Sequence, residues 1–381
     1  MTIDVNRRGF LLGAAGAVAA ATAAGTGLVA PARAARPQPL YGPAPGVAKL
    51  NANENPYGPS RAALIAIQEA SANGAYYVRD SAMKLRAMIA EQNGVDPEYV
   101  TLGSGSSAAL VAAAIAAGQT GNILGPDLFW DTTSRRVEKQ GIAELVRMPK
   151  HPGLEIDLSA MLASIDDSIS MVQICNPNNP TGLMSDPAAL RSFCIEASKK
   201  ATVLIDEAYN EVTDNPAANT MVPLVREGHD VIIARTFSKI YGLAGMRVGY
   251  IIAKPETIEN ISRYGIGWYG LNQAGIAAAV ASYEDQEFMN YSRSKIREGR
   301  EMIAAALKEQ GLEALPSQTN FMFVNLGDIN AEVFRLEMEK EQVMIRGIYR
   351  DYTHWSRVSM GRLEHVQMYV DALPKVMARL A

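Results

Sequence analysis

The stretch Thr236–Lys239, which reads TFSK, follows the apolar run Val231–Ala234 and precedes the glycine-rich segment Gly242–Arg247. An apolar run of this kind is typical of a buried strand, so Lys239 is expected where that strand ends. Two hydroxyl side chains stand before the lysine, and an arginine comes eight residues after it. A lysine in an ordinary surface turn would simply be solvated, which is the commoner outcome for this residue.

These residue types suit a small molecule that carries both an aldehyde and a phosphate. The amine of Lys239 can form a Schiff base with an aldehyde. The hydroxyls of Thr236 and Ser238 can hold a phosphate, and the guanidinium of Arg247 can bind it through two parallel hydrogen bonds. The stretch therefore predicts pyridoxal 5'-phosphate (PLP) as a cofactor.

A second motif places a carboxylate at the end of another apolar run. Thr202–Ile205 reads as a buried strand and continues into Asp206–Tyr209, which is Asp-Glu-Ala-Tyr. A carboxylate there is costly unless a cation meets it, and a protonated pyridine nitrogen would be such a cation. Tyr209 could then reach the phenolic oxygen of the same ring. The alternative is an ordinary helix N-cap aspartate.

A third motif is the turn Cys175–Gly182, which follows the apolar segment Ser170–Ile174. Two Asn-Pro pairs and a Thr-Gly pair indicate a rigid turn. In this order the three motifs resemble the class I/II (fold type I) PLP-dependent aminotransferases, and most closely their histidinol-phosphate aminotransferase branch. The resemblance extends from about Lys49 to about Ala372.

The resemblance implies an α/β fold. A large domain has a mainly parallel sheet with helices on both faces, and a smaller α+β domain accompanies it. It also implies ping-pong transfer of an amino group between an amino acid, or an amino-acid-like amine, and a 2-oxo acid, with Lys239 as general base. A decarboxylase or a lyase/cyclase on the same scaffold is the alternative reaction. A non-catalytic binding protein is disfavoured because the lysine, the aspartate and the phosphate ligands are all present.

Individual roles follow from the same resemblance. Lys239, Asp206 and Tyr209 are the expected catalytic residues. Tyr77 is expected to reach the cofactor phosphate of a neighbouring subunit, which implies a homodimer. The remaining expected cofactor ligands are Ser106, Ser107, Trp130, Asn179, Thr236, Ser238 and Arg247. The expected substrate-side residues are Arg357, Arg346, Asn55 and Tyr57.

The ring-stacking aromatic depends on how the segment Gly125–Trp130 is aligned. Counting back from Gly141 places Trp130 over the ring, and Phe129 is the alternative, whereas counting forward from Pro126 reaches Leu128. Two further positions depart from the family pattern, because Arg79 and Arg362 stand where the family has other residues. Each of these arginines could bind an additional anion or simply be solvated.

The composition is consistent with an enzyme that acts on small molecules. The chain has 381 residues, 48% of them hydrophobic and 20% charged, and a net charge of −4 without basic blocks. A large core is therefore possible, and neither nucleic-acid binding nor a metal site is expected. Two cysteines do not indicate a disulfide framework. Strands of a mainly parallel sheet are predicted to end at Leu102, Leu124, Cys175, Ile205, Thr236 and Ala253.

The amino terminus predicts export. Arg7 and Arg8 precede an Ala/Gly-rich apolar run, and Ala32–Ala34 offers a small-x-small cleavage site. Residues 1–34 are therefore expected to be a twin-arginine signal peptide, cleaved after Ala34, with a periplasmic or otherwise exported enzyme and only transient contact with the membrane. A retained membrane anchor is the alternative. The remaining predicted boundaries are a joining segment at 35–65, a large PLP-binding domain at 66–270 and a small domain at 271–381.

Overall fold

The computed structural model describes residues 41–149 and 151–381, and the predicted signal peptide lies outside them. Along this part of the chain the strands are β1 Ala48–Lys49, β2 Val100–Ser104, β3 Asn122–Gly125, β4 Leu145–Arg147, β5 Ile169–Cys175, β6 Thr202–Asp206, β7 Val231–Thr236, β8 Val248–Ile252, β9 Glu313–Ala314, β10 Phe321–Asn325, β11 Val343–Met344 and β12 Trp355–Ser359. The helices are α1 Arg61–Ser71, α2 Arg79–Asn93, α3 Ser106–Gly118, α4 Thr132–Lys139, α5 Leu158–Ala163, α6 Pro187–Ala197, α7 Pro216–Asn219, α8 Val222–Arg226, α9 Pro255–Ser262, α10 Gln273–Ser282, α11 Gln286–Glu309, α12 Ala331–Lys340 and α13 Leu363–Leu380.

The main sheet has the strand order β2-β8-β7-β6-β5-β3-β4. Within this order, β7, β6, β5, β3 and β4 each pair in parallel with the next strand. Strand β8 is antiparallel to both β7 and β2. The predicted α/β class with a mainly parallel sheet is confirmed. Strands β5 and β7 end at the predicted Cys175 and Thr236, and the other predicted ends differ by one or two residues.

Both faces of this sheet are covered by helices, because successive strand residues point to opposite faces. In β6, Val203 and Ile205 belong to the large apolar cluster that includes residues of α6 and α8. Leu204 belongs to the separate cluster formed with the alanines of α3 and with Val137 of α4. The same alternation sends the side chains at the strand ends to different faces, which decides what reaches the site.

The carboxyl-terminal part of the chain contains a small antiparallel sheet, in the order β12-β10-β9. Strand β1 pairs in parallel with β11, so Ala48 lies beside Val343. Residues 43–381 form one compact unit. The subdivision at 66 and 271 stays a prediction. Within the described residues no helix is both long enough and apolar enough to cross a membrane.

Candidate active site

A cavity of about 880 Å³ brings together residues from the carboxyl ends of β5, β6 and β7, from the start of α3, and from the segment before β12. Ligands of open parallel sheets bind at this end of the strands. Most of the side chains predicted from the sequence line this one cavity. They are Ser106, Ser107, Phe129, Trp130, Asn179, Asp206, Tyr209, Thr236, Ser238, Lys239, Arg247, Arg346 and Arg357.

Lys239 follows β7 by three residues and its amine lies inside the cavity. Its Nζ donates a hydrogen bond to the backbone oxygen of Asn53 at 3.2 Å. Burial, and secondarily the positive charge of Arg357, lowers the pKa of Lys239 to about 8. A substantial fraction of this amine is therefore neutral near physiological pH, which is the form that acts as a nucleophile or base.

Asp206 is the last residue of β6 and its side chain is only 3% exposed. Burial raises the pKa of this carboxyl to about 7, although a hydrogen bond from the Ala208 backbone amide at 3.2 Å and the charge of Lys239 act in the opposite direction. The carboxylate thus lacks full charge compensation within the described chain. A cationic ring nitrogen brought into the cavity would supply it.

Tyr209 is fixed by two amide groups. Its hydroxyl oxygen accepts hydrogen bonds from Asn53 Nδ2 at 3.0 Å and from Asn179 Nδ2 at 3.3 Å. Asn179 Oδ1 in turn accepts from Arg357 Nη1 at 2.7 Å. The turn that follows β5 therefore links the tyrosine to the predicted carboxylate-binding arginine. Burial raises the pKa of Tyr209, so the phenol is neutral and can donate its proton to an oxygen in the cavity.

Asn53 also lines the cavity, although no sequence motif indicated it. It has a positive φ of 54°, is buried, and also accepts a hydrogen bond from Ser359 Oγ at 2.7 Å. Asparagine is enriched at such φ values, so the run Asn51–Asn55 contained a local signal for a special turn. Its bond to Tyr209 spans 156 residues of sequence, which no local pattern reveals.

The residues predicted to bind a phosphate lie close together at the start of α3. A Cβ on Gly105 would lie 2.2 Å from Arg247 Nη2, and a Cβ on Gly249 would lie 2.1 Å from the backbone nitrogen of Ser106. The guanidinium therefore lies directly over the first turn of a 13-residue helix, whose free amides and dipole favour an anion. Thr236 Oγ1 donates to Ser238 Oγ at 2.9 Å beside it. This donor set fits a phosphate group.

Arg357 is the arginine predicted to bind the substrate carboxylate, and it lines the cavity. It is 6% exposed, and its Nη2 donates to the backbone oxygen of Asn51 at 3.0 Å, but its Nε has no partner within the described residues. The guanidinium lies 5.4 Å from the ring centres of both Phe321 and Tyr349. Arg346 lies 5.3 Å from Tyr349, and its backbone pairs with that of Arg357.

The two candidate stacking aromatics differ in their surroundings. Phe129 is 4% exposed and packs so closely on Gly125 that a Cβ there would lie 2.6 Å from its ring. Arg147 covers the Phe129 ring at 5.6 Å. Trp130 is half-buried at the edge of the same apolar cluster. Leu128 also lines the cavity, and it belongs to an apolar cluster with Phe323 and Tyr352. Trp130 thus has the ring more available to a ligand.

Three predicted residues do not line the cavity of the described chain. Asn55 is buried and donates to the Ile240 backbone oxygen at 2.8 Å and to Ser292 Oγ at 3.0 Å. The hydroxyl of Tyr57 accepts the Leu363 amide at 3.0 Å. Both therefore hold the amino-terminal segment in place. Tyr77 is 81% exposed and makes an edge-to-face contact with Tyr269.

The two departures from the family pattern also lie apart from the cavity lining. The guanidinium of Arg79 lies 5.0 Å from the ring centre of Trp268. Arg362 is exposed at the N-cap of α13. Among the described residues, no group of three or more His, Cys, Asp and Glu side chains is arranged to hold a metal ion.

Comparison with known proteins agrees with this geometry. The family model for aminotransferase class I and II matches residues 45–373. The chain belongs to this family. It is a PLP-dependent aminotransferase, which transfers an amino group between an amino acid or related amine and a 2-oxo acid.

Its relatives point to one branch of that family. The histidinol-phosphate aminotransferase of Brevibacillus brevis is 33% identical over 332 residues, which are 87% of this chain and 90% of the relative. The structure of histidinol-phosphate aminotransferase from Sinorhizobium meliloti with pyridoxal-5'-phosphate is 28% identical, with a TM-score of 0.79 over 88% of this chain and 92% of that one. L-threonine-O-3-phosphate decarboxylase from Porphyromonas gingivalis shares the fold at 22% identity, with a TM-score of 0.74 over 87% of this chain and all of that one (100%).

Proposed function

We propose that the cavity residues hold PLP in defined positions. Asp206 pairs with the ring nitrogen, Tyr209 and Asn179 donate to the phenolic oxygen, and Trp130 lies against the ring face. Ser106, Ser107, Thr236, Ser238 and Arg247 hold the phosphate. When bound, PLP supplies an aldehyde that condenses with amines and a ring that accepts electron density from the substrate α-carbon.

The protein residues then control one proton. Lys239 Nζ would take the proton from the α-carbon of the amino substrate and deliver it to the former aldehyde carbon (C4′) of the cofactor, because its lowered pKa makes the neutral amine available. Arg357 holds the substrate carboxylate and thereby fixes the orientation of the α-carbon. The observation that carries this proposal is a lysine with a lowered pKa and an aspartate with a raised pKa in the same phosphate-binding cavity.

We propose histidinol phosphate as the first amine to test, because relatives that are 33% and 34% identical to this chain carry that activity in their names. The assay incubates purified holoenzyme with histidinol phosphate and with a panel of amino acids, each with 2-oxoglutarate. Formation of glutamate without CO2 is expected. Release of CO2 from an amino acid substrate, without glutamate, would replace transamination by the decarboxylase alternative. Lys239→Ala should lose at least about 10³-fold in turnover.

We propose that the working enzyme is a homodimer in which Tyr77 reaches the partner's cofactor phosphate. The support is that Tyr77 is exposed and lies beside other exposed apolar side chains, including Tyr76 at 74% and Tyr269 at 69%. Mixing Tyr77→Phe chains with Lys239→Ala chains should restore activity, because one of the two hybrid sites then has both residues. A fully active monomer in sedimentation would contradict this arrangement.

We also propose that the enzyme is exported. The support lies only in the sequence of the amino terminus, where Arg7 and Arg8 precede the apolar run. Replacing both by lysine keeps the charge and should retain the precursor in the cytoplasm. Cell fractionation with amino-terminal sequencing checks this, and Ala35 is the expected first residue. A full-length chain in the cytoplasm of the native host would refute export.

A further inference from the structure

Asn53 lines the active-site cavity, but no proposed role uses it. Its backbone has a φ of 54°, in the left-handed region, and the residue is only 1% exposed. Its backbone oxygen accepts hydrogen bonds from Lys239 Nζ at 3.2 Å and from Asn320 Nδ2 at 3.0 Å. A costly backbone conformation that is held beside the lysine of the site calls for a functional reason.

The hydrogen bonds of Ser359 determine which way the Asn53 amide points. The backbone amide of Asn53 donates to Ser359 Oγ at 2.9 Å, so the serine oxygen is an acceptor in that bond. The same hydroxyl donates its own proton to Asn53 Oδ1 at 2.7 Å. If the amide were turned over, the serine proton would face an NH2 group, which cannot accept it. Asn53 therefore presents its Nδ2 to the hydroxyl oxygen of Tyr209, at 3.0 Å.

Strand β12 orients both amides that contact Tyr209. Arg357 and Ser359 are two residues apart on this strand, so their side chains point to the same face. Arg357 Nη1 donates to Asn179 Oδ1 at 2.7 Å, and Ser359 Oγ donates to Asn53 Oδ1. Each amide oxygen is thereby occupied, and both NH2 groups point at the tyrosine hydroxyl. One strand of the small sheet thus directs two donors that come from distant parts of the sequence.

These contacts leave the Tyr209 hydroxyl with its proton to offer. A hydroxyl oxygen has two lone pairs, and the two amides use both. The proton is therefore available to an acceptor in the cavity, which Tyr209 lines. A hydroxyl that accepts hydrogen bonds is also a stronger donor, because linked hydrogen bonds polarise one another. Burial raises the pKa of Tyr209, while the charge of Arg357 and the bond from Asn53 act to lower it.

We propose that Asn53 and Ser359 are positioning residues that direct the Tyr209 proton to the phenolic oxygen of PLP. Asn53 occupies the hydroxyl oxygen with a donor, and Ser359 keeps Asn53 in that donating orientation. The stronger hydrogen bond from Tyr209 lowers the proton affinity of the phenolic oxygen and of the nitrogen that joins Lys239 to the cofactor. This inference rests on the proposed placement of Tyr209 at the phenolic oxygen.

Other titratable groups also act on Tyr209, and they come from four strands or the segments that follow them. Cys175 ends β5, Asp206 ends β6, and Arg357 lies on β12. Lys239 follows β7, and its Nζ lies 5.4 Å from the centre of the Tyr209 ring. All four remain in place when Asn53 or Ser359 is replaced, so a difference between such variants reports the hydrogen bonds of these two residues.

The test is a pH titration of the visible absorbance band of the PLP-loaded protein, because its midpoint reports the proton affinity of the lysine-bound cofactor. Asn53→Gly tolerates the positive φ and removes the amide, so it should raise the midpoint by roughly 0.5–1 pH unit. Ser359→Ala should shift the midpoint in the same direction, and Ser359→Thr should restore it because the hydroxyl is kept.

Ser292→Ala is the matched control for Ser359→Ala. Ser292 is likewise a buried serine that contacts an asparagine of the amino-terminal segment, since its Oγ accepts from Asn55 Nδ2 at 3.0 Å. Asn55 does not line the cavity, so Ser292→Ala should leave the midpoint unchanged.

A double-mutant cycle shows whether Asn53 acts through the tyrosine. Tyr209→Phe alone should raise the midpoint more than Asn53→Gly does, and adding Asn53→Gly to it should shift the midpoint by less than about 0.3 pH unit. Additive shifts, an unchanged midpoint in Asn53→Gly, or equal shifts in Ser359→Ala and Ser292→Ala would overturn the positioning role alone. An unchanged midpoint in Tyr209→Phe would instead refute the proposed placement of Tyr209 at the phenolic oxygen.

Discussion

The floor and the entrance of the active-site cavity are built in opposite ways. At the floor, Asp206 and Thr236 end two adjacent parallel strands and are 3% and 4% exposed. At the entrance, Arg136 and Lys139 are exposed on a helix surface. Groups at the floor are positioned by the surrounding protein, whereas Arg136 and Lys139 at the entrance have no ion pair within the described residues.

A buried ion pair lies on the face of the main sheet opposite to the cavity floor. Glu207 and Arg235 are the sequence neighbours of Asp206 and Thr236, so strand alternation sends them to the opposite face of the sheet. Arg235 donates to Glu207 Oε2 through Nη2 at 2.8 Å and through Nε at 3.0 Å. The Met221 amide also donates to Glu207 at 2.7 Å. The two strand ends that carry site residues are thereby tied together.

The largest expected effect comes from breaking this pair. Arg235→Met should lower the free energy of unfolding by about 3–5 kcal/mol, because Glu207 would remain buried without its cation. Arg335→Met is the matched control, since Arg335 pairs with Glu332 and Glu339 in more exposed surroundings and should cost at most about 1 kcal/mol. Urea unfolding measures both. Equal losses would mean that the floor has no special support.

The ionised carboxylate of Asp206 is expected to destabilise the folded protein when PLP is absent, and Asp206→Asn tests this. Burial raises the pKa of Asp206 from 3.8 to about 7, so the folded state holds this proton more tightly than the unfolded chain. The resulting stability is fully present below about pH 4 and is lost as the pH rises through 7. Because asparagine does not titrate, the Asp206→Asn variant does not lose stability as the pH rises through 7. Its stability relative to wild type should therefore rise between pH 5 and pH 8 by on the order of 2 kcal/mol.

The control for this pH dependence is Asp157→Asn. Hydrogen bonds from Ala160 and Ser159 lower the pKa of the exposed Asp157, so it is ionised in both states throughout this pH range. Its difference from wild type should stay constant between pH 5 and pH 8. Chemical unfolding of the cofactor-free proteins at both pH values gives the comparison. An Asp206→Asn difference that is equally flat would show that the carboxylate is already compensated.

The phosphate cradle allows a test of intermediate size. Gly105→Ala adds a Cβ at a φ of 73° and displaces Arg247, so it should reduce PLP affinity about tenfold and also cost about 1–2 kcal/mol of stability. Gly311→Ala has a similar φ of 67° with nothing within 4 Å of the new Cβ. Gly311→Ala should therefore lose about as much stability as Gly105→Ala but bind PLP as tightly as the wild type. Equal PLP affinities in the two variants would contradict the role of Arg247.

The smallest effect is expected at the entrance. Arg136→Gln should change the free energy of unfolding by less than about 0.5 kcal/mol, because no ion pair of the described chain is lost. Thermal or urea unfolding beside the Arg235→Met variant tests the contrast between floor and entrance directly. A loss of several kcal/mol would place Arg136 in the structural framework and remove its freedom to bind a ligand.

The sequence predicted the floor better than the entrance for a physical reason. Asp206, Thr236 and Lys239 follow apolar strands in short contiguous motifs, and parallel strands bring their carboxyl ends to one edge of the sheet. Asn53 reaches Tyr209 through a contact between distant segments, so only the folded chain reveals it. The position of α4 at the cavity was equally hidden, because a helix pattern does not say which cavity its polar side lines.

Some residues lie elsewhere than their motif suggested. Asn55 and Tyr57 belong to the motif-rich segment at 51–60, but their hydrogen bonds go to Ile240, Ser292 and Leu363 instead of into the cavity. On a strand, the spacing of residues determines which way their side chains point. Along an irregular segment it does not. The choice between Phe129 and Trp130 is similar, because it depends on packing against Gly125.

Lys239 is proposed as the reacting lysine of this PLP-dependent aminotransferase. Borohydride reduction of the PLP-loaded protein, followed by mass spectrometry of its peptides, tests this most directly because reduction fixes the cofactor to the amine that holds it. One modified peptide is expected, with pyridoxyl phosphate on Lys239 and with loss of the visible absorbance band. A cofactor fixed to a different lysine, or a Lys239→Ala protein with unchanged labelling and turnover, would contradict it.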